Sequence, residues 1–201
     1  MAKLFGDWAK AAAALEGGSA RLARAIERAV LKEAQGLRKE IVLQLRSQEG
    51  FKPLSPWTIA KRKLLNRGGT KALIQRGDLI GGINVVKAGS DMVFVGIPRS
   101  AQDRDGRELV RIGAVHEYGT DPTIIPITQR MRRFLAAVAS KLEDNKSFEG
   151  EFVPKLRGGK GASAVVVQIP ARPFLRPAFD RWRVGAQRRL YAGIAKNMGW
   201  A

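Results

Sequence analysis

The sequence predicts an α+β fold in which long N-terminal and C-terminal helices pack on a small, mostly antiparallel β-sheet. Three observations carry this. Apolar residues recur at helical spacing from Ser19 to about Glu49. Short β-branched runs at 83–87, 92–97 and 164–169 have strand character, and Lys87-Ala88-Gly89-Ser90-Asp91 suits a hairpin turn between the first two. A basic run from about Pro177 to Met198 carries Phe179, Trp182, Leu190, Tyr191 and Ile194 at apolar helical positions.

Composition limits the functional classes. With 201 residues the chain can bury one sizeable core, and 45% hydrophobic with 27% charged residues suits a soluble globular protein. The absence of cysteine excludes disulfides and thiolate metal sites, and a single histidine excludes a His-rich one. No metal or cofactor is expected. Residues 1–18 contain Asp7, Lys10 and Glu16 and lack a signal-type apolar core, and no run approaches the ~20 apolar residues of a membrane span. The net charge of +18 points to a polyanionic partner, most simply nucleic acid, or to an acidic protein neighbour.

Taken in order, residues 1–18 read as an N-terminal arm or short helix with Leu4, Phe5, Trp8 and Leu15 on its apolar side, stopped by Gly17 and Gly18. Phe5 and Trp8 need a surface to cover them, either on the same chain or on a neighbouring subunit. Residues 19–201 read as a single domain. Ser19 is the expected N-cap of the long helix, a rod of about 45 Å for about 30 residues. Ser55 caps a helix from Pro56 to about Leu65, and Leu73 to Leu79 gives another helical turn. The polar stretch Arg99–Arg107 is a loop. Leu109–Tyr118 is a helix that Gly119 stops. The extended run Ile124–Ile127 is a possible fourth strand, and Thr128 caps a helix through Leu142. That helix carries Arg130, Arg132 and Arg133 in its first turn, the unfavourable end for positive charge. Residues from about 143 to 163 lack periodicity and read as a long mobile loop.

The stretch from Ala164 to Trp182 organises the rest. Val165–Val167 form a strand, Pro170 and Pro173 end its ladder, and Pro177 suits a helix's first turn. Between them lies a stiff corner with Phe174, Leu175 and Phe179 as anchors beside Arg172 and Arg176. Ile169-Pro170-Ala171-Arg172-Pro173-Phe174, continuing to Asp180, resembles the C-terminal signature of the phage virion-morphogenesis family, the tail-completion and neck proteins of long-tailed phages. Ala114-Val115-His116-Glu117-Tyr118-Gly119 is similar to that family's Ala-x-His-x-aromatic-Gly stretch. Leu73-Ile74-Gln75-Arg76-Gly77-Asp78-Leu79 is similar to its Leu-x-x-Thr-Gly-x-Leu, with Arg76 in place of threonine. Phe51-Lys52-Pro53-Leu54-Ser55, with Thr58 and Lys61, resembles the segment that precedes it. The four matches come in the family's order over residues 51–180.

The resemblance implies the same α+β arrangement and a structural virion protein of the head-tail connector or neck. Such a protein forms a homo-oligomeric ring, a hexamer in the family, around the DNA path in tail completion. Its neighbours would be the head connector or adaptor on one side and the tail tube or tail terminator on the other. It would be made in the host cytoplasm and end in the virion, with no membrane partner. Interface residues are then expected at Phe5, Trp8, Ile169, Pro170, Arg172, Pro173, Phe174, Pro177 and Phe179. Non-specific contact with genomic DNA would fall to Lys155, Arg157 and Lys160 on the loop, or to Arg130, Arg132 and Arg133. His116, Tyr118 and Gly119 are expected to be structural, with His116 hydrogen-bonded at a helix end. The carboxylates are scattered and nothing pairs His116 with a nucleophile, so no catalytic activity is expected. A basic nucleic-acid-binding module outside any virion is the alternative, although the chain has no helix-turn-helix, RNP or zinc-finger motif.

Overall fold

The structure, a computed structural model, describes residues 8–67, 69–89, 92–143 and 164–200. It is α+β, with seven helices and two small antiparallel sheets among those residues. The helices are α1 (Trp8–Ser47), α2 (Pro56–Leu64), α3 (Asp78–Gly81), α4 (Leu109–Tyr118), α5 (Gln129–Glu143), α6 (Leu175–Arg183) and α7 (Ala186–Met198). The strands are β1 (Asn84–Lys87), β2 (Val93–Gly96), β3 (Thr123–Pro126) and β4 (Ala164–Val167).

The chain divides into two compact units. The first comprises the chain up to Glu40, the β1–β2 hairpin at Asn84–Gly96, and the chain from Ala178 onward. Its core is made of small residues. Ala25 and Ala29 of α1 are buried, and a Cβ on Gly193 of α7 would stand 3.3 Å from Ala29 Cβ. Asn197 Nδ2 donates to the Ala25 carbonyl at 3.1 Å, so α7 lies close against α1. β1 and β2 pair with Val85 opposite Val95, and Lys87 of this hairpin pairs with Glu27 of α1.

The second unit comprises Ile41–Ile83 and Ile97–Pro177. Ile41, Leu45, Ile83, Val138 and Phe174 are its large, fully buried side chains. α2 packs on α5, and α3 on α4. Gly113 permits close packing around α4, because a Cβ there would fall 2.8 Å from Ile97 Cδ1. Gln48, at φ 64° just past α1, is held by Ala72: the Ala72 N–H donates to Gln48 Oε1 at 2.6 Å, and Gln48 Nε2 donates to the Ala72 carbonyl at 3.1 Å.

Several local expectations hold. Ser55 caps α2 by accepting from Thr58 N–H at 3.2 Å, and Thr128 Oγ1 accepts from Met131 N–H at 3.2 Å at the start of α5. Gly119, at φ 79°, ends α4. Four others are corrected. First, α1 runs unbroken through Gly17 and Gly18, and Ser19 lies inside it. Glycine costs a helix about 1 kcal/mol relative to alanine but keeps both backbone hydrogen-bonding groups, and the flanking stretches Ala11–Leu15 and Ala20–Ala25 are strong helix formers.

Second, residues 73–77 are turns, and helix begins only at Asp78 after Gly77 at φ 83°. Third, the strands do not join into one sheet. Among the described residues β4 pairs with β3, Val166 opposite Ile124, while β1 and β2 pair only with each other. Fourth, the C-terminal helix is two helices, parted at Val184 and at Gly185, whose φ is 71°. Arg189 secures that break: Nη1 and Nη2 donate to the carbonyls of Val184 at 2.8 Å and Trp182 at 2.7 Å, while Nε bonds Glu33 at 3.0 Å. A cation on the last carbonyls of a helix is favoured by its dipole. The expected loop at about 143–163 lies almost wholly outside the described residues.

Candidate functional site

The corner begins where α4 ends. The last turn of α4 presents His116, Glu117 and Tyr118, and the left-handed backbone of Gly119 then redirects the chain. Gly119 also permits a close crossing, since a Cβ there would stand 3.0 Å from Ala171 N and 3.1 Å from the Ile169 carbonyl oxygen. The crossing strand bonds back to α4 and its exit. Thr120 N–H donates to the Ile169 carbonyl, Ile169 N–H to Thr120 Oγ1, both at 3.0 Å, and Arg172 N–H to the His116 carbonyl at 2.7 Å. Pro170 and Pro173 have no N–H to satisfy, so they fit a segment whose bonds to α4 and its exit are made at Ile169 and Arg172.

Glu117 starts the next helix. Phe174, which precedes α6, has no side-chain oxygen to cap it. Glu117 supplies the cap from 58 residues away: Oε2 accepts from Phe174 N–H at 2.8 Å and Leu175 N–H at 3.0 Å, and Oε1 from Arg176 N–H at 3.0 Å. Pro177 follows and has no N–H. The first-turn donors are thereby met by one carboxylate, placed where the helix dipole favours negative charge. The sequence analysis carried Glu117 only as one position of the Ala114–Gly119 stretch.

Arg172 and Phe174, expected at an interface, turn into their own chain. Phe174 is 0% exposed, and Arg172 is 7% exposed. Arg172 Nε donates to the Lys52 carbonyl at 2.7 Å and Nη2 to the Pro53 carbonyl at 3.0 Å, which ties the corner to the loop before α2. Arg62 of α2 is a second buried guanidinium, donating from Nη1 to the carbonyls of Gly69 and Lys71 at 2.9 Å each. Burial pulls both arginines below their ordinary pKa, and Arg172 adds to the effect on Arg62. His116 also departs from expectation: its Nδ1 is buried with no hydrogen-bond partner among the described residues. Burial, and then the charge of Arg172, holds its pKa below the ordinary histidine value.

Ile169, Pro170, Pro173 and Pro177 are half-buried, whereas Phe179 is exposed, with its ring centroid 5.8 Å from that of Trp182. An open cleft of about 750 Å³ flanks the corner, lined by Lys52, Tyr118, Thr120, Asp121, Gln168 and Pro170. Tyr118 is 82% exposed at its edge. Beyond the cleft, the β3–β4 ribbon displays Ile124 and Val166, 72% and 55% exposed, on one face, and Ile125 and Val167 on the other. The sequence reading took these residues as ordinary strand positions. Alternation of apolar side chains on both faces is the signal that marks them.

Arg130 and Arg133 are exposed in the first turns of α5, and Arg132 is half-buried and engaged. Trp8 begins α1, while Phe5, Lys155, Arg157 and Lys160 lie outside the described residues. Among the described residues no cluster of three or more histidine or acidic side chains could hold a metal ion, and no helix is long and apolar enough to cross a membrane. The arrangement offers hydrogen-bonded architecture, an open cleft and an apolar ribbon. No family model, curated protein or solved structure matches the chain.

Proposed function

We propose that this chain is a structural protein of the phage neck or tail, one subunit of a ring that joins the head connector to the tail tube around the DNA path. It works by binding alone. The observation that carries the reading is the β3–β4 ribbon. It is two strands wide, neither strand has a further partner among the described residues, and both faces bear exposed isoleucine or valine. A two-stranded ribbon is marginal in water and gains stability from added strands or a cover, so neighbouring copies in a ring are its natural complement. The resemblance of residues 51–180 to the virion-morphogenesis family supplies the virion context and the six-fold expectation.

A direct test removes the protein from the phage that encodes it. Electron microscopy should then show filled heads and separate tails that fail to join. Normally joined, infectious particles would overturn the proposal. The charge favours a second reading, a basic nucleic-acid-binding module, with Arg130 and Arg133 exposed on α5. Tight binding to duplex DNA with a steep salt dependence would support that reading. Weak binding would leave the charge to diffuse contact with phosphates along a channel.

A further inference from the structure

We propose that His116 is a proton-operated latch on the corner, closed while its imidazole is neutral and opened by protonation. The latch stands whether or not the chain assembles into a ring.

His116 is the only histidine in the chain. Its backbone carbonyl accepts the Arg172 N–H at 2.7 Å, so the residue is itself part of the joint between α4 and the strand that crosses it. Its Nδ1 is buried without a partner among the described residues. A bare Nδ1 suits the neutral tautomer with the proton on Nε2, because an unpaired buried acceptor costs less than an unpaired buried donor. Protonation would create such a donor.

The charged groups nearby cannot stabilise the imidazolium. From the crossing strand it faces Arg172, whose guanidinium is held by two carbonyls and pairs with no carboxylate among the described residues. Arg62 of α2 adds positive charge beyond Arg172. The loop before α2 offers Lys52, and its carbonyl is already taken by Arg172. On α4 itself the acid beside His116 is Glu117, whose two oxygens are committed to three backbone N–H groups of α6. Acidification therefore sets a half-buried imidazolium, with its new proton on a buried Nδ1, against the buried Arg172 guanidinium, with no local anion to spare. The neutral form is favoured by the same two causes that lower the pKa, burial first and Arg172 second.

The sign follows from linkage. The folded pKa is depressed, so between the two pKa values the unfolded chain binds more protons than the folded one. The stability contribution is complete above the ordinary value near 6.5, and it falls as pH drops from there to the folded pKa. Opening would first release the Arg172–His116 bond, then the amides that Glu117 caps.

The sole histidine makes the test clean. In the folded wild-type protein, the His116 ring resonance in proton–carbon NMR should titrate clearly below pH 6.5. Protection of the amides of Arg172, Phe174, Leu175 and Arg176 against hydrogen exchange, taken relative to the intrinsic rate at each pH, should fall over the same pH range. In H116Q that step should vanish, leaving only what the carboxylates cause at lower pH. Titration at or above 6.5 would overturn the latch. So would a low midpoint with unchanged protection of those amides, or an acid step that persists in H116Q. If H116Q does not fold, the wild-type resonance and exchange profiles decide alone.

Discussion

The corner at residues 116–120 and 168–176 and the β3–β4 ribbon adjoin along the chain, yet they treat their polar and apolar groups in opposite ways. In the corner, Glu117 meets three amide donors, Arg172 meets two carbonyls, and Phe174 is wholly buried. In the ribbon, one ladder joins four residue pairs, and Ile124 and Val166 stand in solvent. A segment with its groups satisfied internally gains little from a partner. A segment with apolar faces open gains much. The difference indicates that the corner shapes its own unit, and, under the proposed function, that the ribbon rather than the proline-rich stretch is the surface offered to a neighbour.

The largest test of that contrast is Phe174→Ala. Emptying a fully buried phenylalanine site should cost about 3–5 kcal/mol in urea denaturation. A loss under about 1 kcal/mol would mean that the corner collapses easily and does not organise the unit. Gly119→Ala comes next. A left-handed φ of 79° combined with two backbone atoms near 3 Å should cost about 2 kcal/mol or more. Native-like stability in that variant would show that the chain crossing is loose.

Glu117→Ala should cost about 2 kcal/mol through loss of the α6 cap. Glu117→Gln, which retains an acceptor, should lose less, and helix content by circular dichroism separates the two. The smallest effect on stability belongs to the ribbon. Ile124→Ser with Val166→Ser should change monomer stability by no more than about 0.5 kcal/mol. The same pair should weaken self-association measured by light scattering. If it unfolds the monomer instead, the ribbon belongs with the corner and the contrast fails.

What was legible depended on range. The Ser55 and Thr128 caps, the Gly119 stop and the strand at 164–167 rest on neighbours within a few residues. Pattern and propensity report such interactions directly. The break at Gly185 has an equally local device in αL glycine, but a continuous apolar period on both sides masked it. The unbroken passage through Gly17 and Gly18 shows the converse, a local breaker overridden by strong helix formers around it.

The sequence by itself determined that the chain is basic, that it alternates helices with short strands, and that residues 169–173 are stiff and extended ahead of a helix start, because proline geometry and side-chain branching act within a residue or two. The tertiary structure alone decided that Glu117 caps a helix 58 residues away, that Arg172 holds Lys52 and Pro53 about 120 residues earlier, and that β4 chooses β3. A carboxylate or guanidinium carries no address in the linear chain. Its partner is whichever backbone group packing leaves unsatisfied within reach.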